Sequence, residues 1–479
     1  MMLGACLVAT NGVAQQVHSW TEHWSGSPLP HDCHASVDDP IGLIEVFRRF
    51  QFSKVGLEAK GRVGQFFIPN TERSAILQYD APDVVFSRMR AHLRELSNAQ
   101  ETAALVLDIG TSPTRGRYVC SWLLGANGVI AAETVFPESA EYRNVRIAEV
   151  INDKLNVATR SAARAPRSLN PACPRDRDGY PEYCRIPREA GQSPTGSPPA
   201  TADLSDASRL LFPATIASAL SETKIERLLI LPTGELSTVP FAALHVGQKL
   251  LIEDTALIIL PDIGGLLSAN WEEKDPLAGE KLIVGNPDLR HDKQNCYCPL
   301  AGAEREASYI AKLVDAPVLI GAGATQRAVL ARLREGQARL SLIYLASHAQ
   351  ADAANPLGLS FVALTNDPLT AWKIREYKLT AQPLVVLSAC NTGRGKTFEG
   401  GVFGLARAWY YAGAPRVVMS LWSINDAVTE LLMKEFMNQI VRRQSAEGAL
   451  RLAMLAIRNL GYADAALWAG FSVFGLPTK

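Results

Sequence analysis

The sequence carries no net charge, because its 48 Lys and Arg residues balance 48 Asp and Glu. It also has no dense Lys/Arg tract, so no global field draws in nucleic acid. No apolar run reaches the roughly 18 residues that suggest a membrane-spanning helix. Neither GxGxxG nor GxxxxGK[ST] occurs, which argues against a nucleotide-binding α/β domain. No CxxC pair is present, so the usual spacing of a structural zinc site is missing and no metal or other cofactor is expected. Tandem 34-residue repeats of a helical solenoid are absent as well.

Apolar residues make up 47% of the 479 positions and charged residues 20%, values that support a sizeable buried core. The first residues, MMLGACLVATNGVA, place Gly12 and Ala14 at −3 and −1 of a signal-type cleavage site. Leu3-Gly4-Ala5-Cys6 resembles a bacterial lipoprotein box. No positive charge precedes either feature, so a plain apolar tail fits too. Export, to the periplasm or as a lipoprotein, is the favoured expectation, with a cytoplasmic protein as the alternative. Cys173 and Cys184 flank a polar loop that a disulfide would close in an oxidising compartment. Cys296-Tyr297-Cys298 lies in a second polar loop.

Five segments follow from the pattern of residues. Residues 1–40 are irregular and rich in His, Trp and Pro, and residues 41–100 carry short helical periodicity. Residues 101–163 read as a hairpin, turning at Asn127-Gly128, and an amphipathic helix over 142–160. Residues 164–206 form a Pro/Arg/Ser/Gly-rich linker. Residues 207–479 hold an apolar helix over 208–220, buried strands at 227–232 and 252–260, and then strands alternating with helices. That alternation predicts an α/β fold, with a mostly parallel sheet covered by helices on both faces and a smaller α+β region before it.

In such sheets the reactive groups gather at the carboxyl ends of strands. His348 follows the strand LIYLA, and Cys390 follows LVVLS. An imidazole beside a thiol favours the thiolate, which is the nucleophile. Asn391-Thr392-Gly393 and Gly395 after the cysteine let a substrate backbone come close. Taken singly, each residue is more simply a core cysteine or a capped histidine; together at strand ends they form a candidate pair.

Several segments, in order, carry a family resemblance. Leu387-Ser388-Ala389-Cys390-Asn391-Thr392-Gly393 resembles the LSACxTG nucleophile segment of CHAT domains, and Leu345-Ala346-Ser347-His348 resembles their LAxH segment. Gly302-Ala303-Glu304 with Glu306-Ala307, Ser420-Leu421-Trp422 with Asp426, and Trp468-Ala469-Gly470-Phe471 fit the same pattern. The resemblance spans about residues 100–477 and is strong from 225 on. It implies a caspase-like cysteine peptidase of clan CD, in which His348 and Cys390 form a dyad. The backbone N–H groups of Ala349 and Cys390 would bind the oxyanion, and the partners would be a protein substrate and a regulatory protein. The family usually has glycine where Ala349 stands, and alanine restricts φ. Asp426 is either a pocket acid for basic side chains or an N-cap. A non-catalytic interaction module on the same fold is the alternative.

Overall fold

The computed structural model describes Leu43 and residues 82–98, 100–155, 203–261, 263–267, 274–292, 297–351, 360–390, 404–422 and 425–478. The expectations for residues 1–40, for the linker loop with Cys173 and Cys184, and for the glycine-rich segment after Cys390 lie outside these residues.

Helix α1 (Pro82–Ser97) leads into a meander of β1 (Thr102–Ser112), β2 (Gly116–Gly125) and β3 (Gly128–Val135), then α2 (Ala140–Asn144) and α3 (Ile147–Lys154). After α4 (Ser205–Leu211) and α5 (Ala214–Thr223) come β4 (Arg227–Pro232), the small ribbon β5 (His245–Val246) and β6 (Lys249–Leu250), α6 (Leu251–Asp254), β7 (Ala256–Ile259) and α7 (Gly264–Leu267). The remainder alternates: β8 (Glu280–Pro287), α8 (Ala301–Leu313), β9 (Val318–Gly321), α9 (Gln326–Glu335), β10 (Leu340–Gln350), β11 (Phe361–Val362), β12 (Leu369–Thr370), α10 (Ala371–Arg375), β13 (Leu384–Cys390) and α11 (Gly404–Ala412). The last described elements are β14 (Arg416–Ser420), α12 (Asp426–Val441), α13 (Ala446–Asn459) and β15 (Phe471–Gly475).

Thirteen strands join one sheet in the order β12-β11-β10-β13-β14-β15-β7-β4-β1-β2-β3, with β8 also beside β10 and β9 beside β8. Strands β9, β8, β10, β13 and β14 are parallel, and β15 returns antiparallel to β14. The smaller α+β region that precedes the alternation shares this sheet. Its first strand, β1, pairs parallel with β4 and antiparallel with β2, so the meander extends the same sheet.

Alternate residues of β1 show how the sheet is covered, since successive side chains point to opposite faces. Ala103, Leu105 and Leu107 enter the main core, while Ala104 and Val106 pack with Val85, Met89, Leu93 and Leu96 of α1. In β10, Leu342 through Ala346 are all fully buried, as expected of a strand covered on both sides. The starts of two interior strands are tied down by ion pairs. Arg416 at the start of β14 pairs with buried Glu447 of α13, and Arg227 at the start of β4 lies 3.8 Å from the same carboxylate.

Three boundaries differ from the sequence pattern. The helix expected over 142–160 breaks after Asn144, where Val145 is extended (φ −112°, ψ 157°). Glu235 explains the restart: it accepts the Ile147 amide at 2.8 Å and pairs with Arg117 at 2.5 Å. The apolar helix over 208–220 is two helices, because Pro213 (ψ 168°) interrupts it and caps the second. Residues 251–254 form a helical turn, and the strand begins only at Ala256.

Candidate functional site

Both strands of the expected pair run on through the residue in question. β10 continues past His348 to Gln350, and β13 ends at Cys390. The two strands are parallel neighbours whose register makes His348 and Cys390 Cα partners. Neighbouring strands lie about 4.8 Å apart. The sequence therefore brings the histidine and the cysteine to adjacent positions at the carboxyl end of one sheet.

The half-buried His348 ring is held from one side by the segment before α8. Tyr297 stacks on it with ring centres 4.6 Å apart and an interplanar angle of 23°. His348 Nε2 lies 2.7 Å from the Cys298 carbonyl oxygen. A carbonyl only accepts, so Nε2 is the nitrogen that carries hydrogen, and Nδ1 is the basic nitrogen of the neutral ring. The same carbonyl stabilises the imidazolium form.

The backbone on each side is pinned as well. Ala363 N donates to His348 O at 2.8 Å, and Ser347 Oγ donates to Ala363 O at 2.6 Å. One residue before Cys390, the Ala389 carbonyl accepts from Ser420 Oγ at 2.7 Å. Ala349 is buried in β10 and pairs with Val362. Its φ is not positive, so this backbone does not need the glycine the family usually has there. The bond from Ala363 to His348 brackets the Ala349–Val362 pair as a non-hydrogen-bonded one. Ala349's own N–H therefore turns away from β11, toward the β13 side.

Helix α8 supports this end of the sheet, and Asp426 supports α8. The Asp426 carboxylate accepts from Gly302 N at 2.6 Å and from Ala303 N at 3.2 Å. It thus satisfies orphan amides at the N-terminus of a neighbouring helix. Its own helix is capped by Asn425, which accepts from the Ala427 and Val428 amides. Both Asp426 oxygens are engaged with backbone, so the pocket-acid expectation gives way to a structural one. Burial holds the Asp426 carboxyl above the usual range, against the pull of those two amides. Gly302 makes the contact feasible, since a Cβ there would sit 2.6 Å from the carboxylate. Gly302→Ala is accordingly expected to cost about 1–3 kcal/mol, read as a lower denaturant midpoint at unchanged slope.

One turn further on, Glu306 is fully buried and accepts from Tyr344 Oη at 2.7 Å. Burial pushes the Glu306 carboxyl up to about 8. Tyr344 stands four residues before His348, on the same face of β10. A neutral carboxylic acid thus lies on the same face of the sheet as His348.

Tyr297 and the Cys298 carbonyl were not legible as site groups. Cys296-Tyr297-Cys298 reads as a polar loop, and no spacing rule links a backbone carbonyl to a histidine 50 residues away. Cys298 is disulfide-bonded, and so is Cys120, which is buried in β2. Among the described residues, no group of three or more His, Cys, Asp or Glu could hold a metal ion. No helix among them is long and apolar enough to cross a membrane.

Comparison with known families finds that the CHAT domain matches residues 201–476. Tetratricopeptide repeat protein 28 of Homo sapiens is 25% identical over 298 residues, covering 53% of this chain and 12% of the relative. The Mus musculus protein of the same name is 24% identical over 297 residues, with the same coverage. The chain thus spans 12% of the length of the curated relatives it matches. Among solved structures, the Arg-specific cysteine proteinase gingipain R has a TM-score of 0.39 at 13% identity, over 56% of this chain and 68% of that one. Separase from Saccharomyces cerevisiae, in complex with securin, has a TM-score of 0.47 at 11% identity, over 85% of this chain and 31% of that one. Similarity at this level is no argument for a shared activity.

Proposed function

This chain belongs to the CHAT domain family, and from that premise we propose that it is a cysteine endopeptidase working through a Cys390–His348 dyad. The observation that carries the reading is the register of β10 and β13, which pairs the two residues at the strand ends. The Cys390 proton passes to His348 Nδ1, and the thiolate attacks the carbonyl carbon of a peptide bond. The N–H groups of Ala349 and Cys390 are the oxyanion donors that this reading takes over from the family resemblance. Collapse breaks the C–N bond, and the imidazolium returns its proton to the leaving amine. Water, deprotonated by His348, then hydrolyses the thioester and frees Cys390. The Cys298 carbonyl steadies the charged ring throughout, so no acidic third residue is needed.

Disulfides at Cys120 and Cys298 favour an oxidising compartment, since such bonds persist there and are rare in the cytosol. A protein substrate and a regulatory protein partner complete the reading.

The test is mass-spectrometric cleavage profiling of a peptide library with wild type and Cys390→Ala side by side. Cleavage by wild type alone supports the peptidase and gives its preference at the cleaved bond. Equal cleavage by both proteins sinks it. If neither cleaves, the experiment is repeated with an electrophilic peptide, and failure to label Cys390 supports a non-catalytic module instead.

A further inference from the structure

Away from the dyad, a cavity of about 510 Å³ is lined by residues at the approaches to β4 and β7 and at the corner between α12 and α13. Its inner surface includes buried Arg227 and Thr478, joined by a hydrogen bond from Arg227 Nη1 to the Thr478 carbonyl at 2.9 Å. Arg227 shares the Glu447 carboxylate with Arg416, and Arg416 is level with Leu384 at the start of β13. Cys390 closes that seven-residue strand, so roughly 20 Å of strand lies between the two levels.

The lining divides by charge. The approaches to the two strands contribute the acids Glu226 and Asp254. The helix corner contributes Arg443 and Arg451, together with Ser445, the N-cap of α13. Two of these charges are already matched, because Asp254 pairs with Lys249 at 2.9 Å and Arg443 pairs with Asp275. The other two are not. Arg451 is half-buried, and its guanidinium donates only to the backbone carbonyls of Ile252, at 2.7 Å, and Glu253. The Glu253 carboxylate itself goes to Arg458 at 3.0 Å. Burial holds the Arg451 guanidinium below its usual range, against the attraction of Asp254. Among the described residues, neither Arg451 nor Glu226 has a side chain of opposite charge within 4 Å. A cavity of ligand size thus holds one cation and one anion whose charges the protein leaves unmatched. A plain anion would meet Glu226, and a plain cation would meet Arg451; a ligand with both signs satisfies both. The amino end of α13 favours the anionic part on the arginine side. There the Ser445 hydroxyl accepts from Gly448 N at 3.2 Å and keeps its own hydrogen to donate.

We propose that this cavity binds a small zwitterion, a free amino acid or a dipeptide, with Arg451 on its carboxylate and Glu226 on its ammonium. The site is separate from the Cys390–His348 pair and does not depend on the peptidase reading.

The experiment is isothermal titration of the full chain with alanine, alanylalanine and two blocked dipeptides. N-acetyl-alanylalanine lacks the ammonium, and alanylalanine amide lacks the carboxylate. At least one zwitterion is expected to bind saturably at millimolar concentration, and alanine against alanylalanine distinguishes the two sizes. Blocking either charge should weaken binding about tenfold or more, as expected for a lost charge-assisted hydrogen bond. Glu226→Gln, an exposed change that removes no contact, should bind the zwitterion and the N-acetyl form alike. Arg451→Gln should bind the zwitterion no better than the amide form. That variant also loses the bonds to Ile252 and Glu253, so Glu226→Gln decides the matter if Arg451→Gln does not fold. Absence of binding by both zwitterions overturns the site. Equal binding of a blocked form to the wild type overturns it as well, as does a preference for the zwitterion that survives in Glu226→Gln.

Discussion

His348→Gln is expected to lower Cys390-dependent peptide cleavage by about 10³-fold or more in the disulfide-intact protein. Two losses combine. An unassisted cysteine has a pKa near 8.5, so only a few per cent is thiolate at pH 7. The leaving amine also loses its proton donor, and general acid catalysis is worth about 10²–10⁴-fold. Glutamine is the informative replacement because its amide can still donate to the Cys298 carbonyl that now receives Nε2 at 2.7 Å. The Tyr297 stack is lost, but the segment before α8 keeps its polar partner, so a folding defect is not the expected cause. The pH profile separates the losses. In the wild type the rate should reach its plateau below neutrality, whereas residual activity of the variant should climb toward the ordinary thiol pKa. A variant that cleaves at the wild-type rate, with the same profile, would falsify the dyad.

Much of this arrangement is legible in the residues. LIYLA and LVVLS are apolar without alternation, so they read as strands covered on both faces, and the register confirms them as neighbours. Thr325 reads as a helix cap, and its hydroxyl accepts the Ala328 amide at 3.1 Å. Gly413 reads as a helix stop, and its φ of +111° at the end of α11 explains why glycine stands there. Less legible were features that depend on distant partners. Periodicity over 142–160 carries no trace of Glu235, which closes the gap between α2 and α3 from almost a hundred residues away (|i−j| of 88 to Ile147). Asp426 follows the general rule for helix starts, yet it serves a different helix from its own. The third component of the site is a backbone carbonyl, and every residue has one. Composition and spacing cannot mark it; only the fold brings Cys298 to His348.

Glu306→Gln carries the second large effect, and its size depends on pH. In the wild type Glu306 has a folded pKa of about 8 against an unfolded value of 4.5, with burial as the leading cause. A raised carboxyl pKa means the folded state holds the proton more tightly than the unfolded chain. Its contribution to stability is complete below about pH 4.5 and is lost as the pH rises through about 8. Each unit of difference corresponds to about 1.4 kcal/mol, so the loss amounts to roughly 3–5 kcal/mol. Glutamine keeps the volume and an acceptor for Tyr344 Oη but does not titrate. The variant should match the wild type near pH 4 and exceed it by that amount near pH 9. The raised Asp426 carboxyl contributes to both proteins and largely cancels in the comparison. Denaturant titrations of the two proteins between pH 4 and 9 give the difference directly. A difference that stays flat with pH would mean that Glu306 ionises in place without penalty. The consequence reaches the site, because α8 joins Glu306 to the Tyr297–Cys298 segment and β10 joins Tyr344 to His348. Ionising Glu306 beneath the sheet should loosen both supports of the imidazole together. Cleavage by the wild type should therefore fall off above about pH 8, while Glu306→Gln holds its rate further into the alkaline range.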